Sequence, residues 1–193
     1  MQKVQQSTPA GTATTALSRR KTILLTSLAA LGAGLVGSLT SVFVMFILRA
    51  VAGIPTPMEL FGDHILKLLP APRFVDMLIF FGQHSKTTPL GLALLGMIGL
   101  GTLLGLLFAA IVRVKLPTSG YRPAWREWLT ALIFALAMTT IAVVLFWVEI
   151  GQNFLGLPVG MARLVTALAL LVDFSIYSLT LCLAFRILLP KQR

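Results

Sequence analysis

"ILLTSLAALGAGLVGSLTSVFVMFIL", residues 23–48, holds neither a charge nor a proline. A helix of about 20 apolar residues crosses the ~30 Å hydrocarbon core of a bilayer, and this run exceeds that length. Three further apolar runs cover residues 90–112, 128–148 and 164–187, the last of them carrying Asp173 and Arg186. The charged share of the chain is 11%, under half of the ~25% usual in soluble domains, and the mean hydropathy is +0.92. The expected fold is therefore an all-α integral membrane protein, a four-helix transmembrane bundle. Residues 1–20, rich in Gln, Ser, Thr, Ala and Gly, read as a disordered tail, and residues 21–193 as the membrane domain.

A net charge of +10 over 193 residues raises the question of nucleic acid. The basic residues are scattered over tails and loops and build no compact basic face, so no nucleic-acid partner is expected. They fit a membrane topology instead. Eleven fall before span one, between spans two and three, and at the end of the chain from Arg186 on, whereas five (Arg49, Lys67, Arg73, Lys86 and Arg163) fall on the other side. The positive-inside rule then places both termini in the cytoplasm, in a bacterial cytoplasmic membrane, with the lipid bilayer as the first partner. Tyr121, Trp125 and Trp128 at one boundary of span three and Trp147 at the other form aromatic belts that agree with this. "SRRKTILL" is similar to a twin-arginine export signal, but the apolar run that follows is much longer than the ~7–15 residues of such a signal. Cys182 is the single cysteine and lies inside span four, so no disulfide framework exists.

"GIPTPMELFGDH", residues 53–64, breaks the apolar pattern. Thr56 suits an N-cap, Pro57 the first helical position, and Glu59 completes a capping box, so an interfacial helix is expected over 57–69, ending before Pro70. Met58, Phe61, Ile65, Leu68 and Leu69 would form its apolar face, with Glu59, Asp63 and Lys67 opposite and Asp63 paired to Lys67. A second interfacial helix is expected over 72–82, and the two together form a cap between spans one and two. His64 and His84 fall on this cap. Haem or metal ligation is conceivable for them, but their spacing across a proline corner fits no ligand set, so solvated histidines, no metal and no cofactor are expected.

Small residues recur at spacing four in span one (Thr26, Ala30, Gly34, Ser38, beside Ala33, Gly37, Ser41) and in span two (Gly101, Gly105, Ala109). Such rows let helix backbones approach closely. Packing within the chain's own bundle is the expected use, and a homo-oligomer interface is the alternative.

Asp173 in span four is the anomalous residue, since an acid there costs roughly 2.5–3.5 kcal/mol on insertion scales. Thr166, Asp173, Tyr177 and Thr180 share one face. Asp173 and Tyr177 are the intramembrane candidates for a proton- or quinol-linked site. The competing reading is a neutral acid bonded to Tyr177 or to a threonine of a neighbouring helix. No catalytic triad or phosphate loop is present, and no catalytic residue is assigned.

The corner Gly53, Pro55, Pro57, Glu59, Leu60, Gly62 and Asp63, the segment "FGQHSK", and the loop Gly151, Asn153, Gly156, Leu157 and Pro158 resemble a membrane region found in some bacteria ahead of a sulfite-oxidase-like molybdopterin oxidoreductase domain. The resemblance covers about residues 21–189. It implies a non-catalytic membrane part that anchors or docks a molybdopterin oxidoreductase. The chain departs from the family in stopping at Arg193, where the catalytic domain would begin, and in offering only Cys182, which sits in a spanning helix and cannot hold molybdenum. His64 and Asp173 also differ from the family's usual residues.

The topology is open to direct measurement. With cysteines introduced at Ser7 and Ser85 and labelled from outside intact cells, Ser85→Cys should label and Ser7→Cys should not; the opposite pattern would overturn the assignment.

Overall fold

A computed structural model describes residues 19–82, 87–112, 125–152 and 156–189. The helices are α1 (Arg19–Ala52), α2 (Pro57–Leu68), α3 (Ala71–Phe81), α4 (Thr87–Val112), α5 (Trp125–Leu145) and α6 (Val159–Leu188), with a 3₁₀ turn over Glu149–Gly151. Among the described residues there are no strands. Four of the helices are long and apolar enough to cross a membrane: Ile23–Ala52, Gly91–Val112, Trp125–Leu145 and Val159–Leu188. The protein is an all-α membrane bundle, as expected. The long spans start or stop a few residues away from the expected limits, most notably α6, which begins at Val159 and so places Asp173 at its middle. The readings placed on the tail before Arg19, and on Tyr121, His84 and Asn153, lie outside the described residues.

The order of packing differs from the order in sequence. α1 lies against both α4 and α6, α6 lies against α5, and α4 scarcely meets α5. α1 and α6 therefore form the spine, with α4 and α5 on its flanks. The α1–α4 seam uses the small-residue rows. A Cβ at Gly34 would stand 2.5 Å from the Thr102 carbonyl oxygen, and one at Gly105 would stand 2.6 Å from the Ala30 carbonyl oxygen. Backbone thus rests on backbone at both positions, which only glycine permits. Gly101 sits equally close to Ser38, and Gly37 takes the ring of Tyr177 from α6. The rows serve the chain's own bundle.

At one end, which we call the terminal end, Phe108 of α4 meets Phe134 of α5 edge-on at 5.5 Å and stacks on Phe185 of α6 at 6.0 Å. Here α4 does reach α5 through an aromatic side chain. Arg186 of α6 is bound to Glu127 in the first turn of α5, where an acid also suits the helix dipole.

The other end carries the cap. Gly53 adopts φ 67°, a left-handed conformation that stops α1, and its amide donates to the Arg49 carbonyl at 3.0 Å. Three residues further, the capping box forms as expected: the Glu59 amide donates to Thr56 Oγ1 at 3.2 Å and the Thr56 amide to Glu59 Oε2 at 2.8 Å. Arg49 adds a link absent from the sequence reading, with one guanidinium nitrogen 3.0 Å from Glu59 Oε1 and the other donating to the Gly53 carbonyl at 3.0 Å. It ties the end of α1 to the start of α2 across the corner.

α2 packs on the protein through a face other than its apolar one. Leu60 is fully buried with Met45, Ala142, Ile150 and Leu170, so α2 plugs the space among α1, α5 and α6. His64 and Lys67 follow Leu60 at i+4 and i+7 on this inward face. Phe61 and Leu68, from the apolar face, are 51% and 71% exposed. The apolar side looks outward, which suits a helix beside lipid and would not suit one beside water. Lys67 accordingly reaches Glu149 and does not make the expected pair with Asp63.

The α1–α4 seam makes a sharp expectation. Gly105→Val should destabilise the protein by about 1–3 kcal/mol through overpacking against the α1 backbone, seen as a lowered unfolding temperature in detergent. Gly96→Val, whose Cβ would meet nothing within 4 Å, should leave that temperature nearly unchanged. Equal effects from the two would refute the seam.

Candidate functional site

In hydrocarbon a hydroxyl has no water to bond, and most here return to their own helix. Ser38 donates to the Gly34 carbonyl, Thr102 to Ile98, Thr139 to Ala135, Ser175 to Leu171 and Thr180 to Ile176, each four residues back. Two side chains cross between helices instead, and they define the first polar node. Ser41 of α1 donates to Asp173 Oδ2 of α6 at 2.8 Å. Tyr177, one turn along α6, donates to the Gly101 carbonyl of α4 at 2.5 Å. Asp173 and Tyr177, paired in the sequence reading, thus occupy one face but hold different neighbours.

Asp173 is 0% exposed, and its Oδ1 has no hydrogen-bond partner among the described residues. Its partner is Ser41, neither the tyrosine nor a threonine, which corrects the expected bond. The physical reason is register. α1 and α6 run antiparallel, Gly37 lies against Tyr177, and one turn further along α1 brings Ser41 level with Asp173. Thr180, also expected near the acid, bonds its own helix. The sequence did contain the signal for Ser41: a donor at mid-span, in a row of small residues facing the bundle. The row was read for packing alone.

The second node lies at the cap end. Glu149 opens the 3₁₀ turn after α5, is 2% exposed, and accepts from Lys67 Nζ at 3.1 Å. His64 Nδ1 stands 3.2 Å from the same oxygen, and its ring meets Phe146 edge-on at 5.9 Å. His64 is therefore half-buried and bonded, which corrects its expected role as a solvated interfacial histidine. Burial pushes the Glu149 carboxyl up, but its own backbone amide and the bonds from Lys67 and His64 outweigh this, so it lies below its ordinary 4.5. Arg163, near the start of α6, places its guanidinium 4.4 Å above the Trp147 ring, and a Cβ at Gly151 would stand 2.7 Å from its Nε. Arg163 thereby packs against both the end of the α5 segment at Trp147 and the 3₁₀ turn at Gly151.

Asp173 lines neither the groove of about 490 Å³ beside α1 nor the small cavity of about 10 Å³ between Phe108 and Arg186. Among the described residues no group of three or more His, Cys, Asp or Glu side chains is placed to hold a metal. Cys182 is buried, with its Sγ 3.7 Å from the Glu127 carbonyl. Glu149, Lys67 and Ser41 were all missed as partners by sequence reasoning, because each bond spans more than 80 residues and joins elements whose register only the folded chain sets. Comparison with protein-family models, curated proteins and solved structures finds no match to the chain.

Two measurements probe the nodes. Ser41→Ala removes the donor to a buried carboxyl and should cost about 1 kcal/mol or more of stability in detergent. Asp173→Asn, which keeps an acceptor for Ser41, should cost less; a larger loss from the asparagine would place the value of Asp173 outside this bond.

Glu149 sets an acid-side dependence. Its folded carboxyl ionises more readily than the unfolded one, so its contribution is complete above the ordinary carboxylate range and is lost as pH falls through the lowered folded value. The unfolding temperature should therefore drop on the acid side in the wild type, with a flatter profile in Glu149→Gln. Parallel profiles would show that the carboxylate does not hold the cap.

Proposed function

We propose that the chain is a non-catalytic integral membrane protein that anchors or docks a partner, and that the partner is a molybdopterin-dependent oxidoreductase. We further assign it to the bacterial cytoplasmic membrane, with both termini on the cytoplasmic face. One observation carries the non-catalytic reading: the polar contacts between elements are ties that hold the bundle together. Arg49–Glu59 joins α1 to α2, Glu149 joins the end of α5 to α2, Glu127–Arg186 joins α5 to α6, and Ser41–Asp173 joins α1 to α6. Reaction centres gather such groups in a cleft, with reactive atoms aimed at a common point. Here they are dispersed along helix contacts. The partner rests on the sequence resemblance of the corner at Gly53–Asp63 and the loop at Gly151–Pro158.

A second reading is favoured by the bare Oδ1 of Asp173 at mid-span: a small proton- or quinol-coupled membrane protein. Intramembrane acids commonly mark proton paths.

The two readings separate cleanly in experiment. Co-produced with a sulfite-oxidase-like enzyme of the same bacterium, the chain should carry that enzyme into the membrane fraction, and without the chain the enzyme should remain soluble. The purified chain alone should show neither a Soret band nor molybdenum. An enzyme that stays soluble in both cases overturns docking. In vesicles loaded with a pH-sensitive dye, proton flux that disappears in Asp173→Asn would replace the anchor with the second reading.

A further inference from the structure

The ties described above leave the terminal end of α1 with a feature they do not use. A groove of about 490 Å³ runs along it, lined by Leu25, Leu28, Ala29, Gly32 and Leu35 with Leu188 from the end of α6. These five of the six α1 lining residues fall at i, i+3, i+4, i+7 and i+10, one stripe, with Leu31 beside it and Thr102 of α4 completing the lining. Ala29 is buried and Gly32 half-buried, whereas Leu28 and Leu35 stand exposed, so the recess follows the helix between them. From Leu25 to Leu35 it extends ~15 Å at 1.5 Å per residue, which is half of the ~30 Å hydrocarbon core and so the depth of one leaflet. Lys21 is exposed four residues before Leu25, on the same stripe and one turn beyond the groove. It is the last of the basic run Arg19–Arg20–Lys21 that opens α1.

We propose that this groove binds one acyl chain of an anionic phospholipid, with the headgroup phosphate against Lys21. The length of the recess matches a single leaflet, and the exposed Lys21 stands at headgroup depth. The width also discriminates between occupants. A Cβ at Gly32 would already lie 3.1 Å from Leu188 Cδ1, so Leu188 closes the recess at that point and leaves only a shallow channel along the helix beside it. A helix from a second copy or from a partner is about 10–12 Å across and would ride on Leu28 and Leu35 without entering. Lys21 supplies a compact, mobile ammonium that follows a phosphate along the interface, and juxtamembrane lysines of this kind favour anionic lipid.

Native mass spectrometry of the full chain in mild detergent, titrated with phosphatidylglycerol or phosphatidylcholine, tests this. The chain should hold one phosphatidylglycerol about fivefold more tightly than phosphatidylcholine, the effect of a single lysine near the headgroups. Lys21→Gln should bring the two lipids level without lowering the unfolding temperature. Gly32→Leu, which fills the recess, should weaken both. Equal retention of the two lipids by the wild type, or no response to either variant, overturns the proposal. A dimer that displaces lipid and is lost in Gly32→Leu overturns it as well, giving the groove to a second copy.

Discussion

Backbone-to-backbone contact along the α1–α4 seam is the constraint on which the arrangement depends. Lipid tails are as apolar as leucine, so no hydrophobic force presses spanning helices together; close packing and polar bonds must do it. At Gly34 and Gly105 the missing Cβ atoms let α1 and α4 meet along their carbonyls. That approach fixes the register of α4 on α1 and brings the Gly101 carbonyl within reach of Tyr177 on α6. The three helices are then locked in one alignment, and Ser41 and Asp173 face each other as a consequence. A side chain at either glycine would disturb a hydrogen bond it does not touch.

The cap follows a different logic. α2 presents Leu60, His64 and Lys67 to the protein and Phe61 and Leu68 outward. A soluble amphipathic helix would be turned the other way. The inversion is stable because Glu149, almost without exposure, would be an uncompensated buried charge if Lys67 and His64 were elsewhere. Arg49 and Glu59 hold the preceding corner to the end of α1. The cap is thus held by charge at both ends and by one buried leucine between them, whereas the spans are held by close approach. The proposed anchoring role suits such a construction, in which polar groups serve the fold and leave the surfaces to lipid or to a partner.

Much of this was legible in residue order. Four apolar runs of sufficient length announced the spans, because a bilayer demands length and apolarity and little else. The capping box at Thr56 and Glu59 was legible for a similar reason: its two bonds lie within four residues, so local sequence contains all its parts. The small-residue rows at Gly34 and Gly105 could be assigned to helix contact. The partners of Asp173 and Glu149 could not. A face containing Asp173, Tyr177 and Thr180 is a property of one helix, but which neighbour meets it depends on the antiparallel register of α1 and α6.

The sequence by itself determined that the protein crosses a membrane, which four stretches do so, and that the corner at 53–64 starts a helix. These are consequences of hydrophobic length and of hydrogen bonds a few residues long. Only the tertiary structure decided that α1 and α6 form the spine, that Asp173 is held by Ser41, that His64 and Lys67 turn inward to Glu149, and that α1 keeps a leaflet-deep groove beside Lys21. Each of these joins residues far apart in the chain. Periodicity says which face of a helix is special, and the packing of backbones says what that face will meet.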